Sequence, residues 1–184
     1  MSLERSLIEH CSPTLANLKV GSLFCFLSPA SDALLREIEA LNAQLQPKGL
    51  ALRILRSTDD RTLCYLYRLS QLSQMIRQPE HAAFLRDHGY PLRNSKEMID
   101  CLCNRVLHSD AFPHEIGLFL GYPLGDVIGF IENNGKNCLC CGCWKAYTNA
   151  CAAKKRFDQF AKCTQVYRRL YLAGRSLSRL TVAA

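Results

Sequence analysis

Residues 50 to 68 constrain the fold of this chain more than any other stretch. Leu50 to Leu55 alternates toward Arg56, Ser57-Thr-Asp-Asp-Arg61 is a polar turn, and Thr62 to Arg68 is the returning run. Two β-compatible runs joined by a short polar turn read as a hairpin. Upstream, Ser22 to Leu27 is a short apolar run that reads as a buried strand. A helix follows from about Asp32, with Leu34, Leu35, Ile38, Leu41 and Leu45 at 3–4 spacing, and Gly49 ends it. The opening is therefore β-α-β-β, preceded by a short helix from Leu3 to Glu9 and a separate helical turn from Pro13 to Lys19.

Helices dominate the middle. Leu69 to Gln78 ends before Pro79, and Glu80 to Asp87 ends at His88-Gly89. Asn94-Ser-Lys-Glu97 is a capping box that starts a helix to about His108. Phe112-Pro-His-Glu opens another helix with Pro113 at its first position, where the missing N–H costs nothing. Gly121 stops it, Pro123 opens the next, and Gly135 closes that one. A fourth strand is expected near 137–147, then a long amphipathic C-terminal helix from about Ala150 to Ala173, and a last turn capped by Ser176. The class is α+β, and 184 residues with 48% hydrophobic side chains fit one domain, 1–184, with a real core. No run approaches a membrane span and no leader is visible, so a cytoplasmic location is expected.

The charge of +7 is concentrated at one end. From Lys154 onward there are eight basic residues and one acid, Asp158, whereas the rest of the chain is neutral. On the C-terminal helix Phe157, Phe160, Thr164, Tyr167 and Tyr171 mark a core face, while Lys155, Lys162 and Arg169 recur every seven residues on the other side. The pattern suits a solvated outer face or a surface for an acidic partner or RNA. No recognition helix follows the turn at Gly174, so sequence-specific DNA binding is not expected.

Eleven cysteines, an odd number, lie mostly in apolar runs, which argues against a secreted disulfide scaffold. Cys138, Cys140, Cys141 and Cys143 crowd six positions. Their two Cys-x-x-Cys pairs overlap, so a zinc or iron site would need ligands from elsewhere: Cys101 and Cys103, or Cys151, Cys163 or His108. On a strand, alternation sends Cys138, Cys140 and Trp144 to one face and Cys141 and Cys143 to the other. Strand core, metal site and redox dithiol all remain open.

Cys11 sits at a break before the turn at Pro13, and a thiol near a helix N-terminus is biased toward thiolate. Thr14 and Lys19 would hold an anion beside it. His114-Glu115 opens the helix at Pro113, where the dipole biases the imidazole neutral, as a base or ligand requires. Tyr67 and Arg68, at a strand end, would form an anion site or a structural pair with Glu115 or Asp126. There is no phosphate-cradling glycine loop, no Ser/His/Asp set and no paired-carboxylate signature.

Four blocks, Cys11-Ser-Pro-Thr-Leu-Ala-Asn-Leu-Lys19, Tyr65-Leu-Tyr-Arg68, Phe112-Pro-His-Glu-Ile-Gly through Ile131, and Trp144-Lys-Ala-Tyr147, resemble an uncharacterised bacterial family found mainly in anaerobic clostridial-type bacteria. The resemblance covers nearly the whole chain and brings no assigned activity. It matches Cys11, His114, Glu115, Trp144 and Cys163 to positions in the family's blocks, and it implies a link to iron- or thiol-linked metabolism. The expected function is a pocket of Cys11, Lys19, Tyr67, Arg68, His114 and Glu115, with Cys163 beside it. Such a pocket would take a small anionic molecule, a metal (iron or zinc) or a redox cofactor, with a redox protein as a further partner. In an enzyme, Cys11 would be the nucleophile and His114 its base. The alternative is a noncatalytic adaptor that presents the basic C-terminal helix to RNA or an acidic partner.

Overall fold

The computed structural model describes residues 2–109 and 111–183. Helix α1 (Leu3–Leu15) is followed by β1 (Gly21–Phe26), α2 (Asp32–Leu45), β2 (Leu50–Ser57) and β3 (Thr62–Arg68). The three strands form an antiparallel sheet in the order β1-β3-β2, with the expected hairpin pairing Leu50 to Arg68 and Leu52 to Leu66. A β-bulge interrupts the pairing between Ile54 and Arg56.

Strand alternation divides the core in two. Cys64 and Leu66 face one side with Leu50 and Leu52, under Leu3, Leu7, Ile8 and Cys11 of α1 and the apolar stripe of α2. Tyr65 and Tyr67 face the other side. There they meet α3 (Leu69–Arg77), α4 (Pro79–Asp87), α5 (Ser95–His108) and the one-turn α6 (Ile116–Phe119). Helix α7 (Leu124–Glu132) continues that layer. The long α8 (Ala150–Leu172) packs along α1, and α9 (Leu177–Leu180) returns the chain to the α1 side. Among the described residues no helix is long and apolar enough to cross a membrane.

Three local expectations are corrected. Helix α1 does not break between Glu9 and Pro13; it runs through Pro13 to Leu15. An interior proline costs ~3 kcal/mol, whereas Leu3, Leu7, Ile8 and Leu15 are almost wholly buried on one face and contribute about 1.5–3 kcal/mol each. Second, Pro113 does not start a helix. Residues 113–115 form turns bonded i to i+3, from Ile116 N–H to the Pro113 carbonyl and from Gly117 N–H to that of His114, and α6 is only four residues long. Third, the fourth strand doubles back. Cys140–Cys141 (β4) pairs with Lys145–Ala146 (β5) across a reversal at Gly142 to Trp144. A side chain at Gly142 would lie 2.3 Å from the Phe157 ring, so the reversal packs directly against α8.

Candidate functional site

The residues proposed for one pocket are dispersed by the sheet. Cys11 is fully buried in the core on the α1 side, whereas His114 is exposed beside Phe130, and its neighbours Ile116 and Leu118 belong to the opposite core. With α1 continuous, Cys11 lies in the C-terminal half of a helix, where the dipole disfavours a thiolate. Burial pushes its thiol well above the ordinary range, against a smaller opposing effect of Lys19. The thiolate that the nucleophile expectation required is therefore disfavoured twice over. Alkylation of the folded protein with iodoacetamide should label exposed Cys25, Cys141, Cys143 and Cys151 and spare Cys11 and Cys64 until denaturant is added. Peptide mapping that found Cys11 labelled at the rate of Cys141 would contradict this placement.

Tyr67 and Arg68 point to opposite faces, because adjacent strand residues always do. Tyr67 stacks on Tyr65 at 4.9 Å. Arg68 is fully buried and meets neither Glu115 nor Asp126. Its Nε donates to the Thr14 carbonyl (2.6 Å) and its Nη2 to the carbonyls of Leu15 (2.7 Å) and Val182 (2.8 Å). Glu115 is buried and committed elsewhere, accepting from Arg105 Nε at 2.8 Å and from the Tyr90 hydroxyl at 3.0 Å. Cys163 is half-buried on α8, and burial pushes its thiol up to about 11. The four crowded cysteines are not gathered. Cys140 donates to the Ala150 carbonyl, while Cys141 and Cys143 face solvent. Among the described residues no three His, Cys, Asp or Glu side chains come together as metal ligands.

What the fold does assemble is an aromatic wall between α7 and the β4–β5 hairpin. Trp144 stacks on Tyr122 at 5.0 Å and meets the Phe157 ring edge-on at 4.6 Å. The wall is held by Asp126, in the first turn of α7. One carboxylate oxygen accepts from the Trp144 indole N–H at 2.8 Å. The other accepts from the N–H groups of Tyr147 (2.8 Å) and Thr148 (2.9 Å) and from the Thr148 hydroxyl (2.8 Å). Burial opposes ionisation of Asp126, but these four donors outweigh it and hold the carboxyl below its ordinary value. Lys19 Nζ lies over the Tyr122 ring, 5.3 Å from its centroid and 6.0 Å from that of Phe160; burial lowers its pKa.

Two cavities flank this wall. One, of 320 Å³, is lined by Tyr122, Phe130 and Trp144, with His114, Lys145 and Cys141 at its edge. Lys145 donates one hydrogen bond to the Gly135 carbonyl at 2.6 Å, which leaves two ammonium donors. The second, of 510 Å³, is more polar than the first, with Gln74, Gln78, His81 and Arg156 in its lining. Tyr122, Asp126 and Trp144 border both.

A model of the family described as "Protein of unknown function (DUF3793)" matches residues 7–181. The chain belongs to that family. No curated protein and no solved structure matches it. The matched span of this DUF3793 chain runs from within α1 to the end of α9, so the aromatic wall and both cavities lie inside the family domain. Of the residues singled out from the sequence, His114, Cys141 and Trp144 line the first cavity. Asp126 entered the sequence reading only as a salt-bridge partner. Its position in the first turn of a helix signals a carboxylate favoured by the dipole there, but not its actual donors, which lie 18 to 22 positions later.

Proposed function

We propose that this DUF3793 protein binds a small, flat, largely apolar molecule carrying an acidic group, in the 320 Å³ cavity. The observation that carries the reading is the meeting of Tyr122, Phe130 and Trp144 with the basic edge of Lys145 and His114. The volume falls within the ~300–1,000 Å³ typical of small-molecule sites, and an aromatic lining with a few placed polar groups is their usual chemistry. The rings supply the contact area for a planar ligand, and Lys145 supplies the countercharge for its acidic group. The conjugated ring of a redox cofactor belongs to this ligand class. A bare metal ion does not, because it needs several donor atoms where this wall offers apolar surface. The reading is one of binding and assigns no catalytic step.

The chain has a single tryptophan, Trp144, so occupancy can be read from its emission. Titration with 1-anilinonaphthalene-8-sulfonate, a flat ring system with one anionic group, should give saturable energy transfer from Trp144. Lys145→Met should weaken that binding about tenfold, equivalent to about 1.4 kcal/mol. Val127→Phe, which adds bulk to the cavity lining without a second tryptophan, should abolish it while leaving the far-ultraviolet circular dichroism of a folded chain. Saturable binding that is unchanged in both variants would place the dye elsewhere and remove the support for this site.

A further inference from the structure

We propose that the outer face of α8 docks an acidic protein surface, through Lys155, Lys162 and Arg169 as a line of cations. The C-terminal segment from Lys154 holds the chain's whole positive excess, and the fold gives its cations different surroundings. Two on the flanks of α8 have partners within the molecule: Arg168 pairs with Glu9 of α1, and Arg156 lines the second cavity, while Lys154, Arg175 and Arg179 lie at or beyond the ends of the helix. Lys155, Lys162 and Arg169 are exposed, and among the described residues none of them lies within 4 Å of a carboxylate. Asp158 lies between the first two on the same helix face and pairs with neither.

Helical geometry turns this spacing into a straight row. Seven residues at ~1.5 Å rise separate successive cations by about 10 Å, so the three span about 21 Å on one side of the helix. Val166 follows Lys162 by four residues and precedes Arg169 by three, and Leu172 follows Arg169 by three, so both aliphatic side chains adjoin the row. They are 42% and 77% exposed, which makes the strip charged and apolar together.

That combination fits protein better than nucleic acid. Single-stranded RNA is held by aromatic platforms on which bases stack, beside a basic track. The aromatics of α8 all turn the other way. Phe160 is buried, Phe157 packs on Trp144, and Tyr167 and Tyr171 pack against the α1 core. The outer strip offers a base no ring, whereas exposed Val166 and Leu172 match the apolar patches interleaved with charge in protein interfaces. Attraction through charges in a row sets encounter rate and orientation more than final affinity, so the contact is transient and salt-sensitive.

The test uses the full chain and two fluorescein-labelled probes read by anisotropy at 50 and 200 mM NaCl: a 20-residue Glu/Leu peptide and a 20-nucleotide oligo(U). The triple variant Lys155→Glu/Lys162→Glu/Arg169→Glu is compared with a control of equal net charge, Arg36→Glu/Arg93→Glu/Lys96→Glu, at exposed positions off α8. The expected result is peptide binding that weakens at the higher salt, falls at least tenfold in the α8 variant, and stays within twofold of the parent in the control. Equal loss in both variants would reduce the effect to net charge and overturn the proposal. Tighter binding of oligo(U) than of the peptide would overturn it in favour of nucleic acid, and absence of peptide binding at 50 mM NaCl would overturn it outright. The Trp144 titration of the apolar cavity is independent of these outcomes, so the two readings stand or fall separately.

Discussion

Arg68→Met should cost about 3–5 kcal/mol of folding stability, the balance of three lost charge-assisted hydrogen bonds against the relieved burial of a guanidinium. Two opposing effects decide the sign. Burying a guanidinium with no carboxylate beside it carries a desolvation penalty of several kcal/mol, which methionine would relieve. Against this, Arg68 donates to the carbonyls of Thr14 and Leu15 at the end of α1, where the helix concentrates negative charge, and to Val182 beyond α9. Hydrogen bonds from a charged donor are worth about 1.5–3 kcal/mol each, and methionine would leave all three acceptors without it. The loss side is larger. At ~2 kcal/mol per molar urea, the midpoint should fall by about 2 M. Arg68→Lys, which keeps the charge but not the planar fork, should lie between. Because Arg68 Nη2 bridges the Leu15 and Val182 carbonyls, its loss leaves the C-terminal segment held there by the Val182 N–H to Leu15 bond, and that segment should become the first site of limited proteolysis in the methionine variant. A urea midpoint within 0.3 M of the parent would show that the buried guanidinium contributes nothing net.

Which parts of this architecture were legible in the sequence follows from what each signal depends on. The 50–68 hairpin and helix α2 were read correctly because period and turn chemistry are local, and the capping contact at Asn94 is present, with its side chain accepting from Glu97 N–H at 2.8 Å. The inward face of α8 was likewise given by its aromatic spacing. The prolines misled because their cost is local while the compensation is tertiary. Pro13 reads as a break until four buried side chains on α1 are set against it, and Pro113 reads as a helix start although the next residues only turn. The reversal at Gly142 was illegible for the same reason, since it depends on Phe157 fifteen positions later. The candidate site suffered most. Cys11, Arg68 and His114 were grouped by residue type, and only the sheet reveals that Cys11 and His114 lie on opposite sides of it.

Asp126 is where local sequence and distant packing meet, and its variants should separate fold from site. Asp126→Ala removes the acceptor for four donors and should cost about 3–5 kcal/mol, a large part of a typical stability of ~5–15 kcal/mol. Asp126→Asn is the more informative change. The amide oxygen can take the position that accepts from Tyr147 N–H, Thr148 N–H and the Thr148 hydroxyl. The amide nitrogen then faces the Trp144 indole N–H, donor against donor. The asparagine variant should therefore keep the chain exit after β5 but release the indole, giving a red-shifted Trp144 emission and weaker binding of the anionic dye. Acid should act on the parent in the same way. A carboxyl held below its ordinary value contributes stability that is fully present above the unfolded value and is lost as pH falls through the folded one. The Trp144 emission should thus be constant near neutrality and shift only below pH ~4, the ordinary carboxylate range. In Asp126→Asn that acid-dependent shift should be absent, because the group that titrates is gone. An identical acid transition in parent and asparagine variant would mean that another carboxylate controls the wall, and that Asp126 does not hold Trp144 through its charge.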